Sequence, residues 1–168
     1  MADRRPSAHH LYMDFVERQH LIHRYRDGYR AVAVALLDIT AAEYDRRSAP
    51  DAWTAREVLH HLADSETTSY IRLRRVLAED KPAIEAYDEK EFARTLHYDR
   101  PVEASLAVFK AVRTASAELL ETLEPHEWDR FGVHSESGLY SVDTWLRIYS
   151  DHAHDHADQI RRAREGKA

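Results

Sequence analysis

The chain of 168 residues contains no cysteine, which excludes disulfides, thiolate metal ligands and a cysteine nucleophile together. Any thiol chemistry has to use a thiol supplied from outside. Glycine and proline are scarce, at 4 and 5 residues, so tight turns are few and an all-β or disordered chain is excluded. No apolar run approaches the roughly 20 residues that a membrane-spanning helix needs. The polar opening stretch MADRRPSAHH lacks the apolar segment of a secretory signal, and the expected location is the cytoplasm. Positive charge is also in deficit: 24 Lys and Arg against 30 Asp and Glu give a formal net charge of -6. A surface of that sign repels a phosphate backbone, so nucleic acid is not an expected partner.

Histidine is what the chain has in excess. Of its 12 histidines, nine cluster as His9-His10, His20 with His23, His60-His61, and His152 with His154 and His156. Hydrophobic residues make up 43% of the chain, enough for one domain to bury a core unaided by disulfides or a structural metal. Residues 1–18 carry little pattern and read as an N-terminal arm, with a single helical domain over 19–168.

Within that domain the apolar residues recur at helical spacing in four long stretches. The first runs from about Leu21 to Leu37, with Gly28 a weak spot in it. Thr40 and Glu43 form a capping box for a short turn that Pro50 stops, and Thr54 and Glu57 form a second one that opens a helix from about Ala55 to Ala78. Between Glu79 and Arg100 the periodicity is weak; a long crossover with a short helix around Asp88 to Leu96 is expected. Asp99 can cap a third long helix from near Pro101 to about Leu123. Residues 129–140 read as an irregular loop or short hairpin, after which Ser141 caps a last helix over about Val142 to Arg164. The fold class that follows is all-α: a four-helix bundle with the long crossover between the second and third long helices.

On the last helix, Trp145, Tyr149, His152, His156 and Ile160 fall within one arc of about 80°. Two histidines one turn apart on the same face can reach one metal ion. The plain alternative is a pair of core histidines that each bond a buried partner, but two adjacent buried imidazoles without a shared partner are costly. His154 falls on the opposite side among Asp151, Asp155 and Asp158, where a solvated side chain is expected. On the second long helix the wheel does not choose between His60 and His61. Ser65 and Asp64 stand near enough to His61 to support its ring, and Glu66 lies inside the apolar arc, where it looks like the partner of some buried donor. His20 with His23 could form a second site, although a surface reading suits them better; His97, His126 and His134 read as exposed loop histidines.

Three stretches carry a resemblance: Trp53 to Glu66 (WTAREVLHHLADSE), Leu77 to Ile84 (LAEDKPAI) with Tyr87-Asp88-Glu89, and Tyr149 to Ile160 (YSDHAHDHADQI). In this order they resemble the DinB-like superfamily, its YfiT-type members above all, a group of proposed metal-dependent hydrolases that includes bacillithiol transferases. The resemblance covers about residues 21–163. It implies a four-helix bundle whose metal is held by one histidine of the second long helix and two of the last. By motif these are His61, which precedes Leu62-Ala63-Asp64, and the pair His152 and His156, which precedes Gln159-Ile160.

Three neutral imidazoles leave a divalent ion its charge and an open position, as in catalytic rather than closed structural sites. The resemblance therefore implies an enzyme that uses one divalent ion, Zn2+ first and Ni2+ or Fe2+ as alternatives, to activate a thiol cosubstrate or water. Thiol S-transfer and hydrolysis are both expected types, and no catalytic side chain is assigned. A non-catalytic metal-binding bundle acting as a binding or stress-response module is the rival reading. The expected partner is a small-molecule substrate, with a low-molecular-weight thiol as cosubstrate and self-association as a homodimer left open; no membrane partner is expected.

Overall fold

A computed structural model describes residues 13–167. In chain order the elements are α1 (Phe15–Ala35), the single turn α2 (Ala41–Tyr44), α3 (Ala55–Ala78), β1 (Ala83–Ile84), α4 (Glu89–Thr95) and α5 (Glu103–Glu121). A 3-10 turn (Pro125–Asp129), β2 (Phe131–His134), β3 (Gly138–Ser141) and α6 (Val142–Glu165) complete the chain. Among the described residues, no helix is long and apolar enough to cross a membrane.

The caps act where the sequence puts them. Thr54 accepts from the backbone of Glu57 while the Glu57 carboxylate accepts from the backbone of Thr54 at 2.8 Å, and α3 begins at the next residue. Thr40 and Glu43 do the same for α2. Ser141 caps α6, and Gly166, at φ 69, ends it in the left-handed region that a side chain would strain.

Two boundaries differ from expectation. α1 begins at Phe15 rather than near Leu21, because the Asp14 carboxylate accepts from Glu17 N at 2.8 Å and supplies a cap that weak apolar patterning hid. Of the expected arm, residues 1–12, with His9 and His10, lie outside the described residues. α5 begins at Glu103 behind Val102 with no side-chain cap, so Asp99 does not cap it. The stretch expected to be a loop or hairpin forms the antiparallel pair β2 and β3, and β1 from the crossover joins it in parallel, Ala83 opposite Val133.

α1 packs against α6 and α5, and α3 against α5 and α6, so the four long helices close a bundle with the crossover over residues 79–102. The core divides into two apolar clusters. One gathers Tyr25, Leu73, Val76, Leu120 and Trp145; the other gathers Val32, Val58, Leu59, Leu62, Phe109, Ala157 and Ile160. Between them on each helix lies a short polar or small stretch: Gly28 on α1, His61 to Ser69 on α3, Arg113 to Ser116 on α5 and the turn around Ser150 and His152 on α6. The side chains of the candidate site sit in this layer.

Arg113 organises it. From α5 its guanidinium bonds Glu66 on α3, donates from Nε to the Tyr25 carbonyl on α1 at 3.0 Å, and reaches the Tyr149 carbonyl on α6 at 3.3 Å. One side chain thus ties all four long helices. The pair is sealed, at 1% and 0% side-chain exposure, so it has no water to fall back on. Glu66 also accepts from the Tyr25 hydroxyl at 3.1 Å. Gly28 leaves the room that this needs: a Cβ there would stand 2.4 Å from the Arg113 guanidinium and 2.7 Å from the Ala153 Cβ.

Candidate metal centre

His61 lies on the buried face of α3, and His152 and His156 lie one turn apart on α6, where the two helices pack. The structure brings one nitrogen of each ring within 4.8 Å of the others. Ring centroids are 5.4 Å apart for His61 and His152, 4.8 Å for His61 and His156, and 4.5 Å for His152 and His156. Trp53 covers His61 edge-on at 4.8 Å.

The hydrogen bonds decide which lone pairs are free. Gln159 Oε1 accepts from His156 Nδ1 at 2.7 Å, which fixes the proton there and leaves His156 Nε2 a bare acceptor. That nitrogen faces His152 Nε2 at 3.2 Å. His61 Nδ1 and His152 Nδ1 are buried with no partner. Burial, reinforced by the neighbouring rings His156 and His152, lowers the His61 pKa to about 3. Burial and His152 lower that of His156 to about 4, against an opposing pull from Gln159. Both rings therefore stay neutral in ordinary buffers, and neutral imidazoles with unshared lone pairs facing one another are a donor set that fits a borderline-soft divalent cation. Each buried nitrogen without a partner costs about 1–3 kcal/mol unless something satisfies it.

The remaining candidates separate cleanly. His60, fully buried, bonds Ser105 Oγ through Nδ1 at 2.8 Å and the Arg100 carbonyl through Nε2 at 3.0 Å, so both ring nitrogens are used in joining α3 to α5 and the crossover. His154 is half-buried rather than solvated, its Nε2 donating to the Arg24 carbonyl at 3.0 Å across the α1–α6 contact. Asp64 turns away from His61 to accept from the Tyr98 hydroxyl at 2.7 Å. Glu66 is committed to Arg113 and Tyr25; its Oε1 stands 3.9 Å from His152 Nδ1, beyond hydrogen-bond range. The donor expected for Glu66 is therefore Arg113, a lone basic residue among the apolar positions of α5 that the sequence reading passed over. Gln159 was passed over too, although its place three residues after His156 on the same helix was a usable signal. His20, His23, His97 and His126 are exposed, and no second histidine group with metal-binding geometry occurs among the described residues. His134 is half-buried, its Nδ1 accepting from the backbone of Glu136 at 3.3 Å.

Comparison with known proteins agrees with this architecture. A protein of Oceanobacillus iheyensis named "putative metal-dependent hydrolase" is 35% identical over 139 residues, covering 83% of this chain and 81% of that protein. One of Bacillus mycoides with the same description is 31% identical over 134 residues, covering 80% and 78%. The solved structure of YfiT from Bacillus subtilis, described as a probable metal-dependent hydrolase with an unusual four-helix bundle topology, superposes with a TM-score of 0.85 at 27% identity, covering 94% of this chain and 93% of that one. The model of the DinB superfamily matches residues 24–160, and the chain belongs to that superfamily.

Proposed function

We propose that the chain is a metal-dependent enzyme in which His61, His152 and His156 hold one divalent ion, zinc first and nickel or ferrous iron as alternatives. The observation that carries this reading is the convergence of the His61, His152 and His156 rings, with Nδ1 of His61 and of His152 buried without a partner, next to a carboxylate that is already fully committed. The hydrolase descriptions of the relatives support the same chemistry. When bound, the ion would act as a Lewis acid toward an incoming thiol, water or carbonyl. The chain's own part is positional. Gln159 orients His156, Trp53 shields His61, and the Arg113–Glu66 pair holds α3 and α6 in register. Since the chain lacks cysteine, a thiol nucleophile has to come from outside, and the reaction is hydrolysis or transfer of such a thiol to a small electrophile.

The test is elemental analysis of untagged protein, followed by assays of thiol conjugation to a haloarene and of ester and amide hydrolysis. One equivalent of metal and turnover that is lost on chelation and restored by the ion are expected. Helical circular dichroism should persist on chelation, because both apolar clusters are complete without the ion. Stoichiometric metal with no turnover in either assay would favour the non-catalytic bundle, and absence of metal would overturn the site itself.

A further inference from the structure

We propose that Arg72, Tyr87 and Tyr140 form a subsite beside the three histidines that takes a carboxylate group of the small-molecule substrate. The proposal rests on the reading of the histidines as a metal site only for the identity of the neighbouring chemistry; the subsite itself is built from other residues.

Three polar atoms outside the histidine cluster are buried without any partner: Arg72 Nε, the Tyr87 hydroxyl and the Tyr140 hydroxyl. They come from separate elements, Arg72 from α3, Tyr87 from the crossover and Tyr140 from β3, yet they gather in one place. The guanidinium carbon of Arg72 lies 5.8 Å from the centre of the Tyr87 ring. The Arg72 charge acts on the hydroxyls of Tyr87, Tyr140 and Tyr149, and the Ser65 hydroxyl stands against those of Tyr87 and Tyr149. The Tyr149 ring in turn meets the His152 ring at 5.6 Å, which sets the group one helical turn from the histidines. His134 stacks on Tyr140 at 5.5 Å and holds that ring in place.

The chemistry of these atoms specifies the ligand. Burial pushes the Tyr87 hydroxyl up to about 12 and raises that of Tyr140, so both carry their protons and can donate. Arg72 has no carboxylate partner among the described residues; its bond to the chain is to the neutral Glu85 carbonyl. By contrast Arg113 is matched by Glu66 and Arg18 by Asp143. A guanidinium Nε and two phenols whose buried donor atoms make no well-formed hydrogen bond call for an anionic oxygen acceptor, and a carboxylate fits a guanidinium by geometry and charge. On its solvent side Arg72 also lines a cleft of about 340 Å3 with Thr67, Ile71 and Ile84.

The experiment titrates the protein with a series of ω-mercapto carboxylates, from mercaptoacetate to mercaptohexanoate, and with the matching amides, by calorimetry. Wild type should bind at least one acid about tenfold more tightly than its amide. Arg72→Met should abolish that preference and Tyr140→Phe, which keeps the ring, should narrow it, both with helical circular dichroism unchanged. In the His156→Ala protein the preference should survive, so a failure of the metal reading leaves the subsite testable. Equal binding of acid and amide by wild type would mean that water satisfies the donors, and a preference that persists in Arg72→Met or disappears in His156→Ala would put the carboxylate elsewhere; each overturns the subsite.

Discussion

Removing the guanidinium of Arg113 tests whether the polar layer is the keystone that its contacts suggest. Arg113→Met keeps an apolar stem of similar length but strips Glu66, at 0% side-chain exposure, of its only countercharge among the described residues. It also frees the carbonyls of Tyr25 and Tyr149 from their side-chain donors. Breaking one member of a buried pair costs about 3–5 kcal/mol, since the partner is left charged and dry or has to take up a proton. For a domain of this size each kcal/mol lowers the midpoint by roughly 2–4 °C, so a fall of roughly 6–20 °C is expected in thermal unfolding followed by circular dichroism near neutral pH. Glu66→Gln in the same chain removes the stranded charge while keeping an acceptor for the Tyr25 hydroxyl. The double variant should therefore regain about 2 kcal/mol relative to the sum of the single losses in a double-mutant cycle. A midpoint within a degree or two of wild type in Arg113→Met, or strictly additive losses in the pair, would refute the account of the layer.

Three further outcomes are expected. Gly28→Ala, which in an ordinary helix interior stabilises by up to about 1 kcal/mol, should here destabilise by about 1–3 kcal/mol in urea unfolding, because the new Cβ meets a guanidinium held by its own hydrogen bonds. His61→Ala, His152→Ala and His156→Ala should each lose most bound metal by elemental analysis, whereas His154→Ala should keep about one equivalent; His60→Ala should also keep it while losing about 2–4 kcal/mol of stability, its Ser105 and Arg100 partners being stranded. In chelator, stability should fall as the pH drops below about 6.5 toward the lowered pKa values of about 3 for His61 and about 4 for His156, since the unfolded chain binds protons there that the folded one refuses. That slope, up to about 1.4 kcal/mol per pH unit for each group, should shrink in His61→Ala; an unchanged slope in denaturant titrations across this window would contradict the burial of a neutral ring.

How much of this was legible in the sequence depended on whether the signal was local. The capping boxes follow from Thr40 with Glu43 and from Thr54 with Glu57, and the span of α3 from the apolar repeat behind the second, since cap and helix are neighbours in the chain. The choice between His60 and His61 was not legible from periodicity, because both are buried; what divides them is Ser105 and the Arg100 carbonyl, which claim His60 from elsewhere in the chain. The same holds for His154, whose partner lies on α1, and for Arg72, whose setting needs β3 and the crossover to fold over α3. Asp99 looked like a cap by type and position, yet the chain turns at His97, with φ 53, and Val102 starts α5 instead. Local rules placed the helices; long-range partners assigned the polar side chains.

The position of the polar layer explains why the bundle tolerates its cost. A metal site of the kind proposed needs donor atoms held to within a fraction of an ångström, and its donors would come from two helices that could otherwise slide along each other. Apolar side chains resist separation far more than they resist sliding, because contact area changes little with register. Directional bonds do resist it. Arg113 fixes α5 to α1, α3 and α6 through Glu66 and the Tyr25 and Tyr149 carbonyls, and one turn before Tyr149 on α6 the Trp145 indole donates to the Ser69 carbonyl at 2.9 Å, tying α6 to α3 a second time. Two such ties between α3 and α6 allow neither translation nor rotation without breaking a buried hydrogen bond. The apolar clusters above and below supply the stability, and the layer between them supplies the register on which the three imidazoles depend.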